Sequence, residues 1–432
     1  MKLKLLKNKN YSLLIAGKFI SMIGSNMQQF ALSLYVYSVT GSAAIFASMV
    51  SIAILPRILL SPIAGVFGDW FDRKKMIVLL DFINGMSLAV FAYIFMMNQS
   101  LNLGLIYALI IILEAGEIFY ESSSAGIIPS IVEKDDLLEA KSLSVLIISI
   151  GRLLSPMLAA VIYGLYGLLF ILILNSISFL VSSFSELFIT VPKNHKKPDQ
   201  INVKSFFVDL KEGFKIIKEN KFISTIIYLG TICNFVVAPF FTVGFIVIIK
   251  NVLQASDLQF GIYQTVIGLS MISAPILVSG YIKRFDIAKV CYLAFTTMGL
   301  LIIIMAFIAS NVFLTQFSSN LVPYVILMVL SFIVGMVVGV INITIGTLFA
   351  TVVPLHAMGR TSSVMNLMVV LFIPVGQLLF GFMYDFISVS YVIIMSGSIL
   401  LIGVFIFKNT LLASTKETEE KLPKKGALVH EV

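Results

Sequence analysis

Apolar residues come along this chain in long runs, parted by short polar knots. Each run is long enough to cross a bilayer as a helix, which takes about 20 residues. We count twelve, at 11–38, 43–66, 76–97, 102–126, 143–165, 168–190, 221–249, 258–281, 288–311, 321–350, 362–384 and 389–408. Turn residues or charge mark the breaks, as at Thr40-Gly41-Ser42, Asn98-Gln99-Ser100, Tyr166-Gly167, Ser318-Ser319-Asn320 and Asp385. Runs 1, 4, 7 and 10 are the longest, so tilt or extension beyond the hydrocarbon is expected there.

Composition agrees with this pattern. The 432 residues are 59% hydrophobic and 12% charged. Soluble domains carry about a quarter charged residues. The chain therefore reads as an all-α polytopic membrane protein, since helices satisfy their own backbone hydrogen bonds in lipid. Cys233 and Cys291 lie far apart inside apolar runs and read as small buried hydrophobes. His195, His356 and His430 fall in loops or tails. No metal-ligand spacing, nucleophile triad or nucleotide-binding motif appears, which argues against an enzyme and against ATP hydrolysis. No cofactor is expected.

The net charge of +8 is not a nucleic-acid signal, because the cations are confined to particular loops. With both termini in the cytoplasm, 26 of the 30 Lys and Arg fall inside, only Lys250 falls in an outer loop, and Lys18, Arg57 and Arg152 fall within runs. That is the asymmetry the positive-inside rule demands. The basic N-terminus leads into a run too long for a signal peptide, so it reads as an uncleaved first helix. The long lysine-rich stretch at 191–220 divides a six-run half, 1–190, from a second, 221–408. Its lysines suit topology and attraction to anionic lipid. The charged tail, 409–432, is expected to be disordered. Phe71-Asp72 recurs as Phe285-Asp286 about 214 residues on, Pro129 as Pro354, and Pro156 as Pro374, which suggests an internal duplication.

Between the second and third runs lies Gly65-Val-Phe-Gly-Asp69-Trp-Phe-Asp72-Arg73-Lys74-Lys75. It resembles the loop motif between helices 2 and 3 of the major facilitator superfamily. Gly65, Asp69, Arg73 and Lys74 fit; Trp70 stands where a basic residue is usual and Asp72 where a second glycine is usual. The Phe-Asp-Arg-Lys-Lys ending looks most like the macrolide-efflux and enterobactin-export branch. Gly151-Arg152-Leu-Leu-Ser155-Pro156 looks like the superfamily's span-5 antiporter motif, though poorer in glycine. The resemblance implies two six-helix bundles around a cavity lined by spans 1, 4, 7 and 10, opened alternately to each side. It also implies a latch, in which Asp69 meets the helix N-terminus at Gly359-Arg360-Thr361-Ser362 and favours the outward-facing state. Arg73 would pair with nearby acids, Asp72 being the local candidate.

Ionisable residues within a span are costly and are functional candidates by default. Glu114, Glu117 and Glu121 share one helical face in the fourth run. Glu114 falls near mid-span, where a carboxyl can bind and release protons or pair with a cationic substrate. Arg57 and Arg152 lie at comparable depth and could neutralise these glutamates. Glu121 is expected to reach the inner interface and to be structural, and Lys18 to snorkel to the cytoplasm. Spans 7 to 12 hold no charge in their middle parts, so coupling chemistry belongs to the first half. Asn234, Gln264, Asn342, Asn366 and Gln377, set among apolar residues, suit an amphipathic substrate, or serve as glue between helices. Ser122 to Ser124, Asn26, Gln28 and Gln29 are expected to line the cavity.

Together these readings point to a secondary transporter in the plasma membrane. It would export a hydrophobic or amphipathic compound, drug-like or macrolide-like, against inward proton flow, as a monomer among membrane lipids. Export of an endogenous siderophore or lipid, or a non-transporting scaffold or sensor, are the alternatives.

Overall fold

The computed structural model describes residues 5, 7–191, 211, 214, 215, 217–282, 285–353 and 358–421. Among these, every regular element is helical. The long helices are α1 (Lys9–Thr40), α2 (Ala43–Trp70), α3 (Arg73–Asn98), α4 (Leu103–Ala125), α5 (Leu137–Leu187), α6 (Lys221–Pro239), α7 (Asp257–Ile282), α8 (Ile287–Ile308), α9 (Leu321–Val352), α10 (Met358–Phe386) and α11 (Val389–Lys421).

Among the described residues, 10 helices are long and apolar enough to cross a membrane. Two features separate that number from the twelve runs in the sequence. The 51-residue α5 carries two runs and breaks at Gly167, whose φ of 72° and ψ of −172° are non-helical. Glycine reaches positive φ without a Cβ clash, and so the chain reverses between adjacent runs. The second feature is α1, which is 32 residues long but is not among the ten. Lys18, Asn26, Gln28 and Gln29 dilute its apolar run. These polar groups turn inward: Gln28 is buried and accepts a hydrogen bond from the Asn175 side chain of α5.

The chain forms two compact units, Met1–Asn202 with Gln254–Gly268, and Val203–Leu253 with Leu269–Val432. In the first unit α1 and α3 both pack on α5, and α4 packs on α2 and α3. The first half of α7 belongs here too; a Cβ on Gly261 would meet the Ala160 side chain and, at 2.9 Å, the Pro156 carbonyl. In the second unit α6 packs on α10 and α11, and α8 on α9 and α11. The chain beyond α6 winds through two π-helical turns, at Phe240–Gly244 and Ile248–Val252.

Large apolar side chains lie on the surface, and polar side chains are buried among the apolar ones at helix contacts. Phe405 and Ile276 are 75% exposed, whereas Ser155, Asn175, Ser182 and Glu186 are 0% exposed. Lipid tails solvate leucine and phenylalanine as well as a protein interior does, so association rests on close approach and interhelical hydrogen bonds.

The sequence echo between the halves has a structural counterpart. Asp72 caps α3, accepting from the Lys75 amide at 3.1 Å, with φ −62° and ψ 108°. Asp286 caps α8, accepting from the Ala288 and Lys289 amides at 3.0 and 3.4 Å, with φ −60° and ψ 116°. Pro156 lies inside α5 and Pro374 inside α10. Pro354 falls outside the described residues.

Candidate functional site

The first unit holds a cavity of about 380 Å³ walled by α1, α2, α4 and α5. Its polar wall carries Arg57 from α2, Glu114, Glu117 and Glu121 from α4, and Arg152 from α5. Asn26, Gln28 and Gln29 of α1 face the same space. Its apolar wall includes Met22, Met49 and Leu113. The separations of three, four and seven residues along α4 are what bring its three carboxylates onto one face.

Arg57 spans two turns of α4. Its Nη2 lies 3.4 Å from Glu114 Oε2 and its Nη1 3.1 Å from Glu121 Oε2. The Glu114 side chain is 25% exposed, against 44% for Arg57 and 43% for Glu121, so the mid-span member is the most sheltered. Glu117 is half-buried between them and makes no ion pair among the described residues. Arg152 likewise lines the wall without an ion pair among the described residues. Three carboxylates and two guanidiniums therefore share one small space. With all five ionised, a single negative charge is left over.

Glu121 lines the cavity too, paired with Arg57, which reaches down two turns to it. Ser122, Ser123 and Ser124 do not line the cavity. Ser122 Oγ donates to the Ala64 carbonyl at 2.7 Å, tying α4 to α2, and the other two are buried. Gly151 packs against Met22 and Phe19 of α1, and Ser155 Oγ donates to the Gly151 carbonyl at 2.7 Å one turn before Pro156. Asn234 donates to the Val369 carbonyl at 3.3 Å and Gln377 to Thr242 Oγ1 at 3.4 Å, in both cases joining α6 or its continuation to α10.

Of the latch residues, Gly65, Asp69 and Arg360 lie in helices whose side chains there are outside the described set. Arg73 is described: its Nη1 donates to the Gly126 carbonyl at 3.2 Å, at the end of α4. A cation at a helix C-terminus meets unpaired carbonyls and the negative end of the dipole. Lys74 is half-buried beside it.

The structure also brings together residues to which the sequence reading gives no role. Asp81 of α3 and Glu186 of α5 are 2% and 0% exposed. Glu186 Oε1 accepts from the Tyr120 hydroxyl of α4 at 2.7 Å. Lys18 lies over the Tyr120 ring, 5.8 Å from its centroid, and so does not snorkel away from the protein. Both carboxylates fall inside the runs 76–97 and 168–190, and an acid within an apolar run was the available signal.

A family description, the Major Facilitator Superfamily, matches residues 14–371. Macrolide efflux protein A of Streptococcus pyogenes is 23% identical over 395 residues, covering 89% of this chain and 92% of its own. An MFS-type transporter of Bacillus subtilis (strain 168), YkuC, is 22% identical over 373 residues, covering 83% and 82%. Among solved structures, a bacterial homologue of the iron transporter ferroportin, inward-facing, superposes with TM-score 0.72 at 15% identity, covering 94% of this chain and 99% of that one. The POT family transporter PepTSo gives 0.70 at 10% identity, covering 95% and 99%.

Proposed function

Because this chain belongs to the Major Facilitator Superfamily and is a multi-pass membrane transporter, we propose that it exports a hydrophobic or amphipathic compound across the plasma membrane in exchange for protons. The observation that carries the reading is the Arg57 bridge between Glu114 and Glu121, with Glu117 beside it in a partly apolar cavity. The cavity is one positive charge short of neutrality. A proton supplies that charge in one half of the cycle, and a cationic amphipathic substrate can supply it in the other. Competition for one site links two fluxes without any further device, since each ligand binds what the other vacates. The apolar wall offers dispersion contacts to a lipophilic body. Relatives named for macrolide efflux support the direction and the class of compound.

The test uses purified protein in liposomes with an imposed pH gradient and a panel of lipophilic dyes and macrolides. Movement driven by the gradient is expected. It should fall to the protein-free rate in the Glu114→Gln/Glu117→Gln double variant. Retention of gradient-driven movement in that variant removes the coupling role from these two residues. No movement of any panel member by folded wild-type protein would transfer the case to an endogenous metabolite or lipid.

A further inference from the structure

Asp81 and Glu186 lie outside the cavity lining, in the contact of α3, α4 and α5. Their burial is nearly complete, and each leaves one oxygen without a partner among the described residues: Asp81 Oδ2 and Glu186 Oε2. Beside them both polar atoms of Asn84 are also without a partner among the described residues, in a side chain 1% exposed. Ser182 stands beside Asp81. The helix register brings the two carboxyls to one contact: Ser183 Oγ donates to the Val78 carbonyl at 2.8 Å and Ser176 Oγ to the Gly85 carbonyl at 2.7 Å, which sets Asp81 of α3 against the stretch of α5 that ends in Glu186. Lys18 of α1 with Tyr120 and Glu117 of α4 complete the titratable groups that face them.

Two buried carboxylates with unpaired oxygens cannot both stay ionised beside one lysine without a large desolvation cost. Neutralisation by a proton or by a small cation would relieve it. The packing favours the proton. Gly17 brings α1 onto Ser182 and Ser185, a Cβ there falling 2.9 and 2.7 Å from their hydroxyls. Gly85 brings α3 onto Leu180 and the Ser176 carbonyl, and Gly116 brings α4 onto the Asn84 side chain. Helices drawn together on glycines leave little room for an ion that needs a shell of oxygens, whereas a proton needs none.

We propose that Asp81 and Glu186 form a proton-binding pair, holding one proton between them in the first unit, separate from the Arg57 cavity. A water-borne proton forms an O–H bond to one carboxylate oxygen, and the pair goes from two negative charges to one, which Lys18 then balances. Tyr120 keeps its own proton and holds Glu186 in place. The inference rests on the chain being a transporter, but not on Glu114 or Glu117 carrying protons.

The test is infrared spectroscopy of the full-length Glu114→Gln/Glu117→Gln/Glu121→Gln protein, in which the three cavity glutamates are silent. A protonated-carboxyl stretch at neutral pH is expected, and it should be lost in both Asp81→Asn and Glu186→Gln. If either variant fails to fold, the carboxyl-preserving Asp81→Glu and Glu186→Asp decide instead, since each should shift the band. No band at neutral pH, or a band that neither substitution moves, overturns the proposal. So does a band that sodium abolishes at constant pH, which would make this a cation site. Liposome transport keeps this proposal distinct from the cavity reading: loss of pH-driven movement in Glu114→Gln/Glu117→Gln leaves the band of the pair standing, whereas movement retained in that variant and lost in Asp81→Asn moves the coupling to the pair.

Discussion

At the scale of single residues, Arg57 matters most because it is the one cation that joins two turns of α4. The ion pairs themselves stabilise little: exposed pairs contribute about 0–1 kcal/mol. Their value lies in geometry, since a planar guanidinium can hold two carboxylates at once with different nitrogens. Arg57→Lys keeps the charge but supplies one nitrogen. We expect it to fold normally and to transport about 10-fold more slowly, a drop that corresponds to about 1.4 kcal/mol. Arg57→Ala should lower transport further, with the melting temperature in detergent changed by no more than a few degrees. A large loss of stability in Arg57→Ala would instead mark the bridge as structural. Much of this was legible beforehand, because charges inside apolar runs are conspicuous, and Glu114, Glu117, Arg57 and Arg152 could be picked out by that alone. Glu121 was harder. Counting residues from the end of a run does not show that an arginine on another helix reaches down to it. Asp81 and Glu186 needed the fold, because nothing along the sequence says that positions 105 residues apart face one another.

At the scale of elements, glycine contacts decide how closely helices approach, and they divide into two kinds. A Cβ on Gly376 of α10 would run into the backbone carbonyl of Phe235 on α6. Backbone cannot rotate away as a side chain can. Gly376→Ala is therefore expected to destabilise the second unit by about 1–3 kcal/mol, as overpacking does. A Cβ on Gly230, by contrast, would meet nothing nearer than Val369 Cγ2 at 3.5 Å. Gly230→Ala should be neutral or raise stability by up to about 1 kcal/mol through helix propensity. Thermal unfolding in detergent, with both variants measured beside wild type, checks the pair; equal effects would refute the distinction. The sequence shows the glycines but not which faces they present, so this contrast could not be drawn from it. The helix boundaries were plainer. Gly167 marks the turn within α5 because its combination of positive φ with extended ψ is essentially confined to glycine, and Asp72 and Asp286 mark helix starts by their spacing to the following amides.

At the scale of the whole molecule, one chain carries two units with matching caps and prolines but unlike interiors. In the first, α2, α4 and α5 supply ionisable groups to a cavity and α1 supplies amides; in the second, α6 and its continuation are tied to α10 by the amides Asn234 and Gln377. An internal duplication would account for the likeness, and the proposed coupling in one copy for the difference: charges inside a membrane protein are expensive, and a single coupling site would need only one set. The cations carry an expectation about orientation. From their crowding into alternate loops we expect both termini and the Arg73–Lys75 turn in the cytoplasm, and the loop with Lys250 outside. Reporter fusions can check this loop by loop. A fluorescent protein that matures only in the cytoplasm should be bright at either terminus, and alkaline phosphatase fused after Lys250 should be active. Activity of phosphatase fused after Lys408 would reverse the assignment, and with it the direction in which a proton gradient could drive export.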